Sequence, residues 1–495
     1  MVLKRALEIF RVKSRLSPSL EKSDIFFGGV DSHTKIAIRE CLLFREGVFP
    51  IWYLGVPLSP RKLSNDDFRP LLAKVRDRIH NWKSKHHSFG GRRQLILSVL
   101  QSLQIYWMGV YFLPSGLIHD LEALFRKFLW AQGENVQGKC RIAWDEVCLP
   151  QVHGGLGIRK LSIWNRAILS ARIWNILQRR NSLWVRWIYL HRIHNRSVWS
   201  IGIDNRWSWV FRRILSLRDQ IRPFFMVDIG DGRSTNAWDD AWLSLGRLQQ
   251  FISFRLFSLQ GFTTSSTVFD VLQHLNGVWP QEWVDRNVFF HNAALPSLHY
   301  GRKDQVYWRA TDNGLIPFSV KDCVHSLSGN LAEVRWWKEV WFKTHIPKHA
   351  FCMWLACHRR LPTQDRIFVW KHEPPDSRCA LCHVCMDSHD HLFFQCTYSI
   401  QVWNGVKSET SMHAYPDTWS NIMAFLAVVG PKRSKLQRLT LAASIYLIWQ
   451  ERNWRLFRDS ARPPLVLIKA IRDVVLKRMA WRSINKKFKS DGCSD

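Results

Sequence analysis

The sequence predicts a mainly α (α+β) fold, in which helices supply most of the core and a few short strands lie close to the N-terminus. Apolar residues recur at helical spacing in several segments of the 495-residue chain, and such spacing places them on one face of a helix. The strand-like runs are short and are bounded by glycine or proline. Apolar residues make up 46% of the chain, which is enough for a sizeable core and too much for a wholly disordered protein.

Two short strands are predicted near the N-terminus. Residues 22–30 (KSDIFFGGV) form an apolar run that ends at Gly28-Gly29, a pattern typical of a strand that enters a turn. Residues 52–58 (WYLGVPL) form a second run, which is closed by Pro57 and Pro60.

Helices are predicted over much of the remaining chain. Leu72, Val75, Ile79 and Trp82 recur at helical spacing, and Gly90-Gly91 is expected to break this helix. Residues 195–300 mix short aromatic runs with turn-forming residues and are interpreted as loops and short elements. Further helices are predicted over residues 94–113, 117–128, 162–178, 336–341 and 350–360, and after Pro463-Pro464.

The charge of the chain indicates a polyanionic partner. Lys and Arg number 71 against 40 Asp and Glu, a formal net charge of +31, which makes nucleic acid the first candidate and a membrane surface the second. No run reaches the roughly 18–20 apolar residues of a membrane span, and nucleic acid, with no membrane, is the partner expected. The excess of basic over acidic residues is concentrated in residues 51–100, 151–200 and 451–495. The second of these segments contains nine basic and no acidic residues.

Tryptophans and other apolar residues are interleaved with these basic residues, which favours a surface for nucleic acid. The alternative is that each basic segment is a solvated helix face. The candidate contacts with RNA or DNA are Arg92, Arg93, Arg159, Arg166, Arg172, Arg179 and Arg180.

A cluster of cysteines and histidines predicts a metal site. Its simplest ligand set is Cys379, Cys382, His391 and Cys396, because a C-x2-C pair followed by H-x4-C supplies four ligands for tetrahedral Zn²⁺. Four protein ligands leave no open position, so the zinc would be structural. Phe393 and Phe394 are expected to pack beneath the site, whereas the following two residues could each replace a ligand: Cys385 and His389. The sparse, odd cysteine count of 11 favours a reducing compartment over a disulfide scaffold.

The search for catalytic motifs yields little. The two Asp-Asp pairs, Asp66-Asp67 and Asp239-Asp240, lie in no apolar hairpin and are interpreted as solvated surface. The chain contains no phosphate-binding loop, nucleophile elbow or H-E-x-x-H motif. No catalytic residue and no small-molecule substrate are therefore predicted.

Several motifs follow one another in an order that resembles a known family. They are residues 22–30 and 53–58, residues 91–100 (GRRQLILSVL), residues 128–130, 142–144, 148–150 and 154–158, and Gly230-Asp231-Gly232 with Trp238 and Trp242. In this order they resemble the C-terminal part of the reverse transcriptase of plant LINE-type non-LTR retrotransposons. Residues 318–321, 346–348 and 361–363, with Trp341, Trp354 and the cysteine cluster, resemble the zinc-binding domain of these enzymes. The resemblance implies the same four zinc ligands.

The resemblance implies residual palm strands, a helical thumb-like region and a small helical zinc-binding domain. The expected domains are residues 1–60 (palm end), 61–200 (thumb-like), 201–310 (irregular connection), 311–405 (zinc-binding) and 406–495 (basic helical tail). In the family, the aromatic-x-Asp-Asp hairpin lies just upstream of the segment equivalent to 22–30. The expectation is therefore a truncated protein that binds RNA or DNA without a polymerase site.

Two alternatives to this function stay open at this point. The chain could be a fragment that acts in trans with an intact reverse transcriptase, or it could be a non-functional pseudogene product. The resemblance also implies a nuclear location, although no targeting signal is evident in the sequence.

Overall fold

The computed structural model describes residues 2–59, 61–83, 87–131, 140–194, 196–244, 246–329, 331–371, 378–428 and 434–490. Helices account for 57% of the structure and strands for 6%, which confirms the mainly α prediction. The chain divides into two compact units. The first contains the residues up to Pro70 together with Ile203–Arg213, and the second contains Leu71–Gly202 and the residues from Ile214 onward.

The helices are numbered in chain order. They are α1 Val2–Ser14, α2 Ser32–Leu42, α3 Arg69–Lys83, α4 Phe89–Leu95, α5 Gln101–Val110, α6 Ser115–Trp130, α7 Trp144–Cys148, α8 Leu161–Leu177, α9 Leu183–Ile188, α10 Trp209–Leu215, α11 Arg218–Ile221, α12 Phe254–Leu259, α13 Val268–Leu275, α14 Gln281–Arg286, α15 Phe289–Asn292, α16 Val320–Leu327, α17 Trp337–Val340, α18 Pro347–Cys357, α19 Gln364–Lys371, α20 Thr397–Glu409, α21 Trp419–Val428, α22 Lys435–Arg458 and α23 Pro464–Ser490.

The strands form three small sheets within the described residues. Strands β1 and β2 are parallel, β3 and β4 form an antiparallel hairpin, and β5, β6 and β7 form an antiparallel sheet in that order. Their bounds are β1 Asp24–Ile25, β2 Arg45–Glu46, β3 Ile51–Tyr53, β4 Val56–Leu58, β5 Phe225–Asp228, β6 Gln305–Arg309 and β7 Leu315–Ile316.

In the first unit, the prediction of one strand over residues 52–58 is wrong. The segment is the hairpin of β3 and β4, because the chain reverses at Leu54 and Gly55. Both residues have positive φ, 49° and 83°, as a tight two-residue hairpin turn of the I′ type requires. The strand predicted within residues 22–30 is limited to the two residues of β1.

In the second unit, the predicted helix face is confirmed where Val75 and Ile79 of α3 are buried. The prediction that Gly90-Gly91 ends a helix is wrong, because both glycines lie in α4, whose first turn is capped by Ser88. A Cβ atom on Gly90 would lie only 2.5 Å from the carbonyl oxygen of Pro347 at the start of α18. Gly90 therefore allows two backbones to approach closely.

The predicted helix over residues 94–113 continues from α4 through a π-helical turn, Ile96–Leu100, into α5. The predictions over 117–128 and 162–178 correspond to α6 and α8, and the last predicted helix is α23. Helix α18 begins at Pro347, at the first helical position, where proline loses no hydrogen bond.

Residues 229–290 contain an aromatic core. Trp242, Trp279, Trp283, Phe257 and Phe290 are all buried in one apolar cluster, surrounded by the short helices α12–α15. The aromatic runs interpreted as loops and short elements therefore belong to short elements around a common core. No helix in the described residues combines the length and the apolar composition needed to cross a membrane.

Candidate metal centre and basic surfaces

The four residues predicted as zinc ligands come together. One donor atom from each of Cys379, Cys382, His391 and Cys396 lies within 4.8 Å of all the others. The Sγ atoms of Cys379 and Cys396 are 3.9 Å apart, and Cys382 Sγ lies 3.3 Å from His391 Nε2. Tetrahedral zinc, with bonds of about 2.0–2.3 Å, requires donor separations of about 3.5–3.8 Å. The donor set therefore fits zinc, and the two separations of 3.9 and 3.3 Å lie close to the required values.

Local backbone geometry positions the two halves of the cluster. A tight turn links the first two cysteines, in which the His383 amide donates to the Cys379 carbonyl and His383 has a φ of 59°. His391 begins a π-helical turn, and Cys396 immediately precedes α20. The Cys379 thiol donates to Cys396 Sγ, which lowers the pKa of Cys396 and raises that of Cys379.

The two residues that could each replace a ligand, Cys385 and His389, differ in their surroundings. Cys385 is exposed, and His389 is 5% exposed without a hydrogen-bond partner on either ring nitrogen in the described chain. The His389 ring packs edge-on against Trp419, with centroids 4.6 Å apart, and neither spare residue belongs to the four-atom cluster. Phe393 and Phe394 are fully buried beside the site, as the sequence predicts.

Two arginines of helix α22, Arg452 and Arg455, contact the segment that carries the cysteine cluster, and these contacts form the α22 brace. Arg452 and Asp387, each with a side chain 1% exposed, form a buried ion pair. Arg455 Nη1 donates to the carbonyl oxygen of Leu381, 2.9 Å away, within the C-x2-C turn. Asp387 also accepts from the backbone amide of Gln364. The sequence analysis did not identify this brace, although an arginine within the apolar run 445–457 is a signal for it.

The predicted contacts Arg92 and Arg93 are engaged inside the protein. Arg93 is 9% exposed, donates to the carbonyl oxygen of Leu156 and stacks over Trp341; burial lowers the pKa of Arg93 to about 10. Arg92 is half-buried and donates to the carbonyl of Ala131, and burial lowers its pKa as well. Both arginines therefore hold α4 against neighbouring backbone, Arg92 at Ala131 and Arg93 at Leu156.

The other five predicted contacts are more accessible and lie in or beside α8. Arg159 is half-buried, with its guanidinium 4.6 Å from the ring centre of Trp164. Arg166 is half-buried and donates to Gln220. The remaining three are exposed: Arg172, Arg179 and Arg180.

The prediction of solvated Asp-Asp pairs is wrong for three of the four residues. Asp67 is 9% exposed and accepts from the Ser64 amide and from Arg61. Asp239 and Asp240 are 4% and 9% exposed, and burial raises the pKa of Asp240 to about 6. Only Asp66 is exposed, in an ion pair with Arg69. The burial follows from local packing and hydrogen bonding, which dipeptide patterns do not reveal.

Comparison with known families matches residues 318–403 to the zinc-binding domain of reverse transcriptase. A protein of Arabidopsis thaliana named "Putative ribonuclease H protein" is 27% identical over 374 residues, which cover 70% of this chain and 57% of that protein. A second protein of the same organism, named "Uncharacterized mitochondrial protein", is 27% identical over 143 residues, or 29% of this chain and 93% of that protein.

The chain thus matches somewhat more than half the length of the first of these relatives. The Cys3His cluster lies within the matched domain. Residues 318–403 therefore match a zinc-binding domain of the reverse-transcriptase type, as the motifs of this segment predict, and this domain relates the chain to reverse transcriptases.

Proposed function

We propose that this reverse-transcriptase-related protein binds nucleic acid through the basic residues in and beside α8. The observation that carries the proposal is the uninterrupted positive charge of residues 151–200, which contain nine basic and no acidic residues. Arg172, Arg179 and Arg180 are exposed there, and exposed cations that pair with the phosphates of a nucleic acid release the counterions condensed on it.

The Cys3His cluster is assigned a structural role in this function. Its four donor atoms satisfy tetrahedral zinc without leaving a position for water or substrate. The cluster is also packed against Phe393 and Phe394, both fully buried. Zinc would therefore fix the loop that carries Cys379 and Cys382 against α20.

We assign no polymerase site to the described residues. Two-metal polymerase chemistry uses carboxylates that converge on a pair of metal ions, but the Asp-Asp pairs have structural partners. Asp67 is bound by Ser64 and Arg61, and Asp239 by Arg222. The motif order further supports assignment to the C-terminal part of a LINE-type reverse transcriptase, with the five domains predicted from the sequence.

Filter binding of the purified chain to single-stranded RNA, single-stranded DNA and duplex DNA across a salt series tests this function. The logarithm of the binding constant should fall linearly with the logarithm of salt concentration, with a slope of about −0.7 per phosphate for single strands. Replacing Arg166, Arg172 and Arg180 together by alanine should weaken binding and flatten the slope.

The matched control replaces Arg335 and Arg360, which are exposed cations of the second unit outside the α8 segment. This control should bind as the parent chain does. Equal losses in both variants would show a general charge effect and would reject the α8 surface. Metal-dependent primer extension by the purified chain would reject the assignment of a non-catalytic role.

A further inference from the structure

A largely apolar pocket lies in the second unit, away from the cysteine cluster, with α8 and α16 both contributing to its wall. Its volume is about 890 Å³, which lies within the ~300–1,000 Å³ of small-molecule pockets. Hydrophobic side chains supply much of the wall, among them Leu149, Val152, Ile158, Ile163, Trp164 and Val324. The pocket therefore has the size and the surface to bury the apolar body of a small organic molecule.

The wall of this pocket also contains a buried cation, Arg93, which is only 9% exposed. Its Nε atom donates to the carbonyl oxygen of Leu156, and its guanidinium stacks over Trp341. Neither Nη atom forms a hydrogen bond with a described residue. Both Nη atoms still reach solvent, because neither belongs to the fully buried polar atoms that lack a partner. The guanidinium therefore keeps its Nη donors free for a ligand in the pocket.

No carboxylate among the described residues neutralises Arg93. Burial lowers its pKa to about 10, and no neighbouring carboxylate raises it. A buried charge without a partner is costly, so buried cations are as a rule paired. The three carboxylates of the pocket wall have partners of their own. They are Asp145 with Lys160, Asp322 with Ser319 and Asp312 with the amide of Gly314. Arg93 therefore lacks the anion that its burial favours.

A second guanidinium in the wall, that of Arg159, also lacks a carboxylate partner in the described chain. Arg159 is half-buried, and its guanidinium lies 4.6 Å from the ring centre of Trp164. Gln101 fixes the backbone of Arg159, because its side-chain amide bonds to both the N–H and the carbonyl group there. Stacking on a ring holds a guanidinium in place while its N–H groups stay free to donate. The pocket therefore presents two unpaired guanidinium groups beside an apolar wall.

We propose that this pocket binds a small organic anion, whose acidic group pairs with the Nη donors of Arg93 and whose apolar body packs against Trp164 and Val324. Guanidinium groups match the geometry of carboxylates and similar oxyanions. Arg159 and the exposed Lys321 add positive charge to the wall. A nucleic-acid strand is a poorer match, because it carries a phosphate at every nucleotide and this wall is mostly apolar. The site is separate from the proposed nucleic-acid surface and does not depend on it.

Two fluorescent probes that differ in one group test the pocket in the full chain. Anilinonaphthalene sulfonate is an aromatic anion, and N-phenylnaphthylamine is the same molecule without the sulfonate. In fluorescence titrations the anionic probe should bind more tightly than the neutral one. R93M removes the charge and keeps an apolar side chain. It should weaken binding of the anionic probe roughly 10- to 100-fold, as expected for the loss of hydrogen bonds to a charged group, and should leave the neutral probe nearly unaffected.

The matched control is R335M, at an exposed cation outside the pocket wall, and it should bind both probes as the parent chain does. Since Arg93 also bonds to Leu156, circular dichroism must show a parental helix content for R93M. V324W keeps every charge and fills the pocket from α16, so it should abolish binding of both probes. If R93M does not fold, V324W and R159M decide, and R159M should weaken the anionic probe alone.

Each further result decides for or against the pocket. Equal affinity of the parent chain for the two probes, or unchanged binding of the anionic probe in a folded R93M, would overturn the anion site. Unchanged binding in V324W would place the probe on another apolar surface and would overturn the pocket. Displacement of the bound anionic probe by oligo(dT) would identify a strand as the ligand and would overturn the small anion. The Arg166/Arg172/Arg180 variant should bind the anionic probe as the parent does, so failure of the proposed function remains a separate result.

Discussion

The carboxylate of Asp304 accepts a 2.8 Å hydrogen bond from the backbone amide of Gly232, across 72 residues of sequence. The same Oδ1 atom accepts from the amide of Gly230, also at 2.8 Å, and Oδ2 accepts from the hydroxyl groups of Ser234 and Thr235. One side chain therefore organises the Gly230-Asp231-Gly232 turn and the residues after it. Burial, the largest single effect, raises the pKa of Asp304, but the hydrogen bonds from Thr235, Gly230, Gly232 and Ser234 together outweigh it and lower the pKa.

The first prediction concerns pH. Because the folded-state pKa of Asp304 is depressed, its contribution to stability is present above the unfolded-state pKa of about 3.9. That contribution is lost as the pH falls through the lower folded-state value. The protection factors of the amides of residues 230–235, which correct for the intrinsic pH dependence of exchange, should therefore fall on acidification below about pH 4. D304N should exchange faster at neutral pH and should show less of this pH dependence. A D304N variant that protects these amides as well as the parent would contradict the role of the carboxylate.

The second prediction concerns Gly232. Its φ is 69°, and a Cβ atom there would lie 2.8 Å from the backbone nitrogen of Phe269. G232A should destabilise the protein by about 1–2 kcal/mol from the left-handed conformation alone, with the contact adding to that cost. Urea unfolding measures it. The control is G202A, at an exposed glycine whose Cβ would meet no atom within 4 Å. Equal midpoints for the two variants would disprove the packing argument.

The third prediction concerns the metal site. C379S and C382S should each lower the zinc content of the purified protein, because each removes one of four converging donors. Loss of a structural metal should also unfold the surrounding loop, since binding and folding are coupled. C385S changes an exposed cysteine outside the cluster and should retain one zinc per chain. Elemental analysis measures the content, and normal zinc in C379S would refute the ligand set.

The fourth prediction concerns the brace from α22. Removing one partner of a buried ion pair costs about 3–5 kcal/mol, because the other charge stays buried and unpaired. R452M should therefore destabilise the protein and accelerate zinc loss to a chelator, as it releases Asp387. R458M, at an exposed arginine of the same helix, is the matched control. Adding D387L to R452M should recover part of the stability. Zinc release from R452M at the parental rate would contradict the brace.

The convergence of Cys379, Cys382, His391 and Cys396 could be predicted from the sequence because a cluster within one short segment is set by local spacing. Helices with regular apolar periodicity, such as α3, α6 and α8, were predictable for the same local reason. By contrast, Gly90 resembles a helix breaker until its contact with Pro347 is known. Arg93 resembles a surface cation until its bond to Leu156 is known. Long-range contacts decide both cases, and neither propensity nor charge counts contain them.

The Asp304 interaction was beyond sequence reasoning for a similar reason. The motif Gly230-Asp231-Gly232 is evident in the sequence, but its organising carboxylate lies more than 70 residues away. The Asp239-Asp240 pair likewise resembles an exposed dipeptide and is instead buried next to Arg222. Polar residues gain their roles here from partners that are distant in sequence.

The close approach of Gly90 to Pro347 leaves no space for a side chain between α4 and the first turn of α18. Beside it, Phe89 stacks on Phe351, with ring centroids 5.3 Å apart, and Trp354 donates to the carbonyl oxygen of Gly154. Bending at this junction would first have to pull apart two backbones in contact. Any side chain introduced at position 90 would therefore have to force α4 away from the start of α18.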